Sequence, residues 1–305
     1  MRIICYVHDF NMSDELDLIW NAGILVKFND LPKHSIWSKR MLGLLNWSRI
    51  ERSDKELERE FENEIYFPLY QQLLSDENIK DIDSLSSKLY KLNDVCCSRK
   101  GNFRVFSFTE ARRLWGLWIL HYLSKFADLD NTSAIVDIGA GAGQVILKIA
   151  LSNVFNNTSF YALERMHSAR EIIKILSHRN NCNINIDYCD FMSKNIANCI
   201  PENAILYTSY VLQVMTHHPK DIIDNFCDLK PAMVFNFEPF ISFYDQNTIY
   251  GELCAKYLGI NKYNTTFDSV LHNSNGKTID IIYEEGNIFG TTPYLPGSLI
   301  VWKPK

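Results

Sequence analysis

Short apolar runs alternate with amphipathic stretches along the last two thirds of the chain. Each run has the length of a buried strand, and the stretches between them place apolar residues three or four positions apart, as one face of a helix requires. The runs are AIVDIG, SFYALE, NINIDY, AILYTSY and AMVFNFEP. This alternation predicts a parallel sheet covered by helices on both faces, because parallel strands need crossover helices.

The end of the chain breaks this alternation. The runs TIDIIYEEG and SLIVWKP follow each other with no helical stretch between them. Two strands that follow each other so closely pair antiparallel. The pattern therefore predicts an α/β fold with a doubly wound, mostly parallel sheet of seven strands and an antiparallel C-terminal hairpin at its edge.

The first hundred residues have a mainly helical pattern. A capping-box spacing at Ser53 precedes a helix with Leu57, Phe61 and Ile65 on one face. Pro68 is expected to end or kink this helix. The stretch VCCSRKGNFRVFS then indicates a junction, and the helix after it, apolar nearly all round, predicts burial between layers.

The change of pattern divides the chain into two predicted domains. Residues 1–105 are expected to form a helical segment that caps a substrate site or mediates dimerisation, and residues 106–305 to form the sheet domain. Residues 1–105 contain too many apolar side chains for a flexible linker. They must therefore pack either over the binding cleft of the sheet domain or on a second copy of the chain. A homodimer is therefore one expected arrangement.

Composition narrows the class of protein. Apolar residues make up 47% of the 305 residues, and the net charge of −5 gives no general attraction to nucleic acid. The chain starts without a signal-peptide pattern, and no apolar run approaches the roughly 18–20 residues of a spanning helix. The eight cysteines lack metal-ligand spacing and fit reduced, mostly buried thiols. We expect a cytoplasmic protein without membrane span, metal or nucleic-acid partner.

The strongest chemical signal is the stretch AIVDIGAGAGQ, which ends at Gln144. An apolar strand followed by a glycine-rich turn and a helix is the place where open α/β sheets bind nucleotides. The phosphate-binding pattern GxxxxGK[ST] is absent, and the dinucleotide pattern GxGxxG fails because Gln144 occupies its last position. The pattern that fits is Asp-x-Gly-x-Gly-x-Gly, formed by Asp137, Gly139, Gly141 and Gly143.

This stretch resembles motif I of the S-adenosylmethionine-dependent methyltransferases with a seven-stranded Rossmann-like sheet, and the resemblance covers roughly residues 107–305. The family places an acid for the ribose hydroxyls where Glu164 ends the second strand. It places an acid and an apolar residue for adenine where Asp190 and Phe191 follow the third. The resemblance implies S-adenosyl-L-methionine as cofactor. The residues it assigns to cofactor binding are Asp137, Gly139, Gly141, Gly143, Gln144, Glu164, Arg165, Asp190, Phe191 and Ser209.

Each of these residues also has an ordinary structural alternative. The glycines would form a tight turn in any case, Glu164 would suit a helix N-terminus, and Asp190 would suit a loop cap. A cationic cluster that includes Arg104 and Arg112 faces either an anionic group, such as the cofactor's carboxylate, or solvent.

The acceptor of the methyl group would approach beyond the fourth and fifth strands. His217, His218 and Glu238 lie there, and each is a candidate base if the acceptor is a hydroxyl that must lose a proton. The histidines would equally start an exposed helix, and Glu238 would equally cap a turn. The ending PYLPGSLIVWKP resembles the tails of bacterial surface-polysaccharide sugar O-methyltransferases, which implies a small or carrier-linked, sugar-like hydroxylated acceptor.

Three alternatives remain open at this point. An amine acceptor would make the protein an N-methyltransferase. A nicotinamide-dependent oxidoreductase has a related fold, but the sixth-position glycine is missing. A non-catalytic protein that kept the fold is disfavoured by the intact set of acid, glycines and acid.

Overall fold

The computed structural model describes residues 12–47, 53–127, 132–155, 157–190, 200–215 and 218–305. The helices are α1 (Met12–Ala22), α2 (Leu31–His34), α3 (Ile36–Met41), α4 (Asp54–Arg59), α5 (Phe67–Ser75), α6 (Ile82–Leu89), α7 (Phe108–Phe126), α8 (Ile146–Leu151), α9 (His167–Arg179), α10 (Pro219–Asp228), α11 (Ile249–Ile260) and α12 (Phe267–Ser274). The strands are β1 (Ile24–Val26), β2 (Asp94–Arg99), β3 (Asn102–Ser107), β4 (Ala134–Ile138), β5 (Ser159–Glu164), β6 (Ile184–Tyr188), β7 (Ile205–Ser209), β8 (Met233–Glu238), β9 (Ile279–Phe289) and β10 (Gly297–Pro304).

Seven strands form the central sheet in the order β6–β5–β4–β7–β8–β10–β9. The first five are parallel, with Val136 of β4 opposite Tyr161 of β5 and Leu206 of β7. β10 pairs antiparallel with both β8 and β9. The predicted fold class and all seven predicted strands are confirmed. The strand order reverses at β4: the strands that follow it first in the chain, β5 and β6, lie on one side, and β7 and β8 lie on the other. This reversal opens a crevice at the carboxyl ends of β4, β5 and β7.

Helices cover both faces of this sheet, so its central strands are apolar throughout. All five residues of β4 are buried. On one face Ile135 packs in a cluster with Trp118 of α7 and Ile172 of α9, and on the other Val136 packs with Phe226 of α10. The alternation of side chains along each strand divides the core into these two layers.

The N-terminal segment shares the core of the sheet domain. Trp20 of α1, Leu73 of α5 and Leu85 of α6 belong to the cluster that covers one face of the sheet. The stretch predicted as a junction forms the hairpin β2–β3, and β1 extends it to a three-stranded sheet. The helical description of the first hundred residues is therefore incomplete, and the predicted boundary after residue 105 falls within β3.

Two details of the helices also differ from expectation. The helix that begins at Ser53 keeps its capping box, but it continues past Pro68 through a π-helical stretch, Glu60–Tyr66, into α5. Pro68 is the second residue of α5, at its junction with the π-helical stretch. The helices α11 and α12, between β8 and β9, were not predicted. In the described parts of the chain, no helix combines the length and the apolar character needed to cross a membrane.

Candidate functional site

A cavity of about 460 Å³ lies at the carboxyl ends of β4, β5 and β7. The structure brings most of the predicted cofactor residues to its wall, namely Asp137, Gly139, Gly141, Gln144, Glu164, Arg165, Asp190 and Ser209. Gly143 is not part of the wall, because Ile173 and Leu147 pack against it from behind. Phe191 falls outside the described residues.

The glycine loop presents bare backbone to the cavity. Gly141 has a φ of +54°, a conformation that only glycine adopts without strain, and a Cβ there would lie 2.8 Å from the Tyr66 hydroxyl oxygen. The loop is tied to β5, since the amides of Gly139 and Ala140 both donate to the carbonyl oxygen of Leu163, at 2.8 and 3.0 Å. The local sequence thus fixes a loop that a ligand can approach closely.

Glu164 holds the glycine loop against the end of β5. Its Oε2 accepts a hydrogen bond from the Gly141 amide, and its Oε1 accepts one from the Met166 amide, both at 2.8 Å. Burial raises the pKa of this carboxyl, and the bonds from the backbone amides oppose that effect. Because each carboxylate oxygen has two lone pairs, both oxygens keep capacity to accept from a ligand.

Asp137 is a second buried acid at the same end of the sheet. Burial raises the pKa of this carboxyl to about 7, and the charge of Glu164 adds to the rise, while the Tyr207 hydroxyl opposes it. Asp190, after β6, also lines the cavity. The part of the wall formed by Asp137, Glu164 and Asp190, here called the β4–β6 half, is therefore rich in carboxyl groups.

The opposite wall carries neutral side chains on the turn after β7 and the loop between β9 and β10. We call it the β7–β10 half, and it consists of Tyr210, Gln213, Val214, Met215, Thr291, Thr292 and Leu295. Trp115 of α7 packs against this half: its indole nitrogen donates to the Ser209 hydroxyl at 2.9 Å, and its ring centroid lies 5.0 Å from that of Tyr210. Tyr210 has a φ of +58°, an uncommon conformation that clusters at functional sites.

A stretch of the N-terminal part, residues 57–66, covers the glycine loop and is called here the covering segment. Its Leu57, Glu58, Phe61 and Tyr66 line the cavity. Glu58 forms an ion pair with Arg165 at 2.6 Å. The covering segment thus lies over the loop and the end of β5. The expectation that residues 1–105 cap a substrate site or mediate dimerisation stays a prediction.

The covering segment is fixed to the sheet domain by Glu62. Its carboxylate accepts from the backbone amide of Ser168 at 3.0 Å and from the Ser168 hydroxyl at 2.5 Å. Ser168 lies in the first turn of α9, whose amides have no partner within the helix. Glu62 therefore caps α9 from a distant part of the chain and ties the covering segment to this helix.

Of the predicted catalytic residues, the described His218 and Glu238 are not among those that line the cavity. His218 is exposed at the start of α10, in a left-handed conformation, with its Nδ1 3.8 Å from an oxygen of Asp221. His218 directly precedes Pro219, the first residue of α10. His217 falls outside the described residues.

Glu238 lies beneath the cavity instead of lining it. It is 1% exposed, and its Oε1 accepts from the Val211 amide at 3.0 Å, which supports the turn that carries Gln213. Burial raises the pKa of Glu238 to about 7. Its Oε2 is buried and has no hydrogen-bond partner among the described residues. Glu238 therefore supports the turn from below, and its role as a base stays a prediction.

Several cavity residues gave no signal in the sequence. Trp115 belongs to a helix whose apolar residues cover nearly its whole surface, and Thr292 lies in a loop without any motif. Gln213 lies in the short 3₁₀ helix Leu212–Val214, at the end of the fourth strand where the acceptor was expected, but was not itself predicted. Arg112 was noted only as part of a cationic cluster. It lines the cavity, and its Nε lies 3.5 Å from Asp83, a long contact that leaves most of the guanidinium available. Within the described ranges, no group of His, Cys, Asp and Glu side chains is arranged to hold a metal ion.

No family model matches the chain, and no curated protein matches it significantly. Among solved structures, it is similar to magnesium protoporphyrin IX methyltransferase from Synechocystis PCC 6803 with bound SAH, at 12% identity over 83% of this chain and 100% of that chain, with a TM-score of 0.48. It is similar to PigF with SAH at 14% identity over 97% and 70%, with a TM-score of 0.45.

A third similarity is to N,N-8-amino-8-demethyl-D-riboflavin dimethyltransferase from Streptomyces davawensis, at 14% identity over 65% of this chain and 57% of that chain, with a TM-score of 0.44. At such low identities these likenesses carry no information on the reaction, so function has to be inferred from the site. The narrower resemblance to polysaccharide-modifying enzymes finds no support among them and stays a prediction.

Proposed function

We propose that this protein is an S-adenosylmethionine-dependent methyltransferase that acts on a small or carrier-linked hydroxylated acceptor. The strongest support for this proposal is the hydrogen bond from the Gly141 amide to the buried Glu164 carboxylate, because both residues line the same cavity. A bare glycine loop and a carboxylate at the next strand end are the two features that the adenosine and methionine parts of this cofactor require.

The uneven charge of the cavity supports one orientation of the cofactor. The carboxyl groups of the β4–β6 half suit the nucleoside, with Glu164 as acceptor for ribose hydroxyls and Asp190 for the adenine amino group. Arg112 suits the carboxylate of the methionine part, because a guanidinium holds a carboxylate through two parallel hydrogen bonds. The β7–β10 half is then left for the acceptor.

When bound, S-adenosylmethionine supplies a sulfonium methyl group, which passes to a lone pair of the acceptor while the electrons of the broken C–S bond return to sulfur. The chain's own contribution is alignment, since in-line displacement depends on holding two reactants in one geometry. The glycine loop and Glu164 fix one reactant, and Trp115 and Tyr210 bound the space for the other. The covering segment restricts water on the loop side.

A sugar-like acceptor stays a prediction of the C-terminal resemblance, and an amine acceptor stays the alternative. The two are separated by the pH dependence of the rate. Transfer to a hydroxyl speeds up as pH rises, because the oxygen must lose its proton, whereas an amine that arrives neutral gives a flat profile.

Calorimetry with two ligands tests the proposed class of enzyme. We expect the full chain to bind S-adenosylhomocysteine and not to bind NADH, since the loop lacks the last glycine of the dinucleotide pattern. Tight binding of NADH without binding of S-adenosylhomocysteine would assign the protein to the oxidoreductases instead.

A further inference from the structure

The Tyr66 side chain reaches the glycine loop from the covering segment. A Cβ at Gly141 would lie 2.8 Å from the Tyr66 hydroxyl oxygen, so the phenol end touches the bare backbone of the loop. Tyr66 lines the cavity, and its oxygen is not closed off from it. The hydroxyl makes no hydrogen bond with the part of the chain that the structure describes. Because buried tyrosine hydroxyls usually have a partner, this one points to a ligand that supplies it.

The π-helical stretch Glu60–Tyr66 explains how the side chain comes to this place. Tyr66 is its last residue, and the Phe61 ring stacks on the Tyr66 ring with the centroids 6.2 Å apart. In a regular α-helix, residues five positions apart point about 140° away from each other. The i→i+5 hydrogen bonds of a π-helix bring such residues to one side. The wider turn therefore lets both aromatic side chains line the cavity.

Two contacts hold this stretch in place. The Tyr90 hydroxyl donates to the carbonyl oxygen of Ile65, the residue before Tyr66, at 2.6 Å. The Glu62 carboxylate accepts from the amide and the hydroxyl of Ser168 at the start of α9. Since the stretch is tied at both points, the Tyr66 hydroxyl is already in position before a ligand binds.

The Tyr66 hydroxyl is a donor across the working range of pH. Burial raises the pKa of this hydroxyl well above its ordinary value of 10.0, and the charge of Glu164 adds to the rise, whereas that of Arg112 opposes it. The hydroxyl therefore keeps its proton and offers one hydrogen bond to an acceptor. In the proposed cofactor the ribose hydroxyls donate to Glu164, whereas the carboxylate of the methionine part accepts only.

Arg112 provides further donors in the same cavity. Its Nε lies 3.5 Å from one oxygen of Asp83, and its two terminal nitrogens make no hydrogen bond among the described residues. The other oxygen of Asp83, which is buried, pairs with Lys148. One carboxylate thus faces two cations, which leaves one positive charge in excess. A cation and a neutral donor together suit an anionic carboxylate.

We propose that Tyr66 is a cofactor-binding residue whose hydroxyl donates to the carboxylate of the methionine part, beside Arg112. This inference rests on the proposed function and adds to its site a residue from the N-terminal part of the chain. The covering segment then binds the cofactor directly as well as enclosing the glycine loop. The ligands that this arrangement favours are adenosine thioethers and sulfoniums that carry a free carboxylate.

Calorimetry with S-adenosylhomocysteine and 5′-methylthioadenosine tests the inference, because the second ligand lacks the carboxylate. Binding of 5′-methylthioadenosine is measured by its displacement of S-adenosylhomocysteine. The full chain is compared with Tyr66→Phe, which removes only the hydroxyl. Tyr70→Phe is the matched control, since Tyr70 lies four residues further along in α5, is also half-buried and is not part of the cavity wall.

For Tyr66→Phe we expect the affinity for S-adenosylhomocysteine to fall by roughly tenfold or more, the scale of one hydrogen bond to a charged group. The affinity for 5′-methylthioadenosine should stay as in the unaltered chain. Combined with Arg112→Met, the loss should be smaller than the product of the two separate losses, because both side chains act on one carboxylate. The free energy of unfolding without ligand, measured in urea, should not fall, since the hydroxyl has no partner in the described chain.

The failures are distinguishable. An unchanged affinity of Tyr66→Phe for S-adenosylhomocysteine would overturn the inference, and so would equal weakening of both ligands, which would place the hydroxyl at the nucleoside. A larger loss of stability in ligand-free Tyr66→Phe than in Tyr70→Phe would show that the hydroxyl serves the fold instead. These three outcomes leave the proposed function standing. Absence of S-adenosylhomocysteine binding by the unaltered chain would overturn the proposed function itself.

Discussion

Replacing Glu164 by glutamine tests how the glycine loop is held and what it binds. The carboxylate accepts two backbone hydrogen bonds of 2.8 Å, from Gly141 and Met166. Glutamine has one oxygen, so one of the two amides will face an NH₂ group and lose its acceptor. A hydrogen bond to a charged group contributes about 1.5–3 kcal/mol, although the neutral amide avoids the cost of burying a charge. We expect the free energy of unfolding to fall by about 1–3 kcal/mol.

The same substitution should weaken ligand binding. If Glu164 accepts from the ribose hydroxyls, the loss of a charged acceptor lowers the affinity for S-adenosylhomocysteine by roughly ten- to a hundredfold, at about 1.4 kcal/mol for each factor of ten. Urea denaturation measures the first effect and calorimetry the second. Glu64→Gln, at an exposed position of the covering segment, is the matched control and should change neither. If Glu164→Gln kept the stability and affinity of the unaltered chain, the proposed role of this carboxylate would be wrong.

Three further substitutions probe other parts of the site. Arg112→Met should weaken binding of S-adenosylhomocysteine but not of 5′-methylthioadenosine, which lacks the carboxylate; equal weakening of both would place Arg112 elsewhere. Burial raises the pKa of Glu238 from 4.5 to about 7, so the folded chain keeps this proton to higher pH and loses stability as pH rises through that range. Glu238→Gln should therefore reduce the decline in the free energy of unfolding between pH 4.5 and about pH 7, as measured by urea denaturation at several pH values; a decline as large as in the unaltered chain would contradict this expectation. Glu62→Ala should speed dissociation of S-adenosylhomocysteine in stopped-flow experiments, unlike Glu64→Ala, because the cap on α9 is lost; equal rates would show that the covering segment does not control release.

The sheet was predictable because its strands are buried on both faces. Continuous apolar runs such as the one at Ala134 leave no ambiguity about their place in the core. The hairpin β2–β3 was missed because it carries charges at Arg99 and Lys100, which were interpreted as a junction. Its turn signal is the pair Lys100–Gly101, with positive φ at both positions, a combination that two-residue hairpins favour.

The sequence predicted only the part of the site that lies at the carboxyl ends of neighbouring strands. Gly141 and Glu164 meet because neighbouring parallel strands bring their carboxyl ends to the same edge. Arg112, Gln213 and Thr292 reach the cavity from an α-helix, a short 3₁₀ helix and a loop that lie far apart in the sequence. Their positions follow from how these elements pack on the sheet, which no local pattern encodes.

Calorimetry of S-adenosylhomocysteine binding to a pair of glycine variants is the most direct test of the central claim. Gly141 and Gly276 both have positive φ, but a Cβ at Gly141 would enter the cavity wall near Tyr66, whereas a Cβ at Gly276 meets nothing within 4 Å. Valine at either position is strained, so the pair separates strain from obstruction of the site. We predict binding by the unaltered chain and by Gly276→Val, and none by Gly141→Val. The absence of heat and of a melting shift in the unaltered chain at saturating ligand, or normal affinity in Gly141→Val, would contradict the assignment of this loop as the cofactor site.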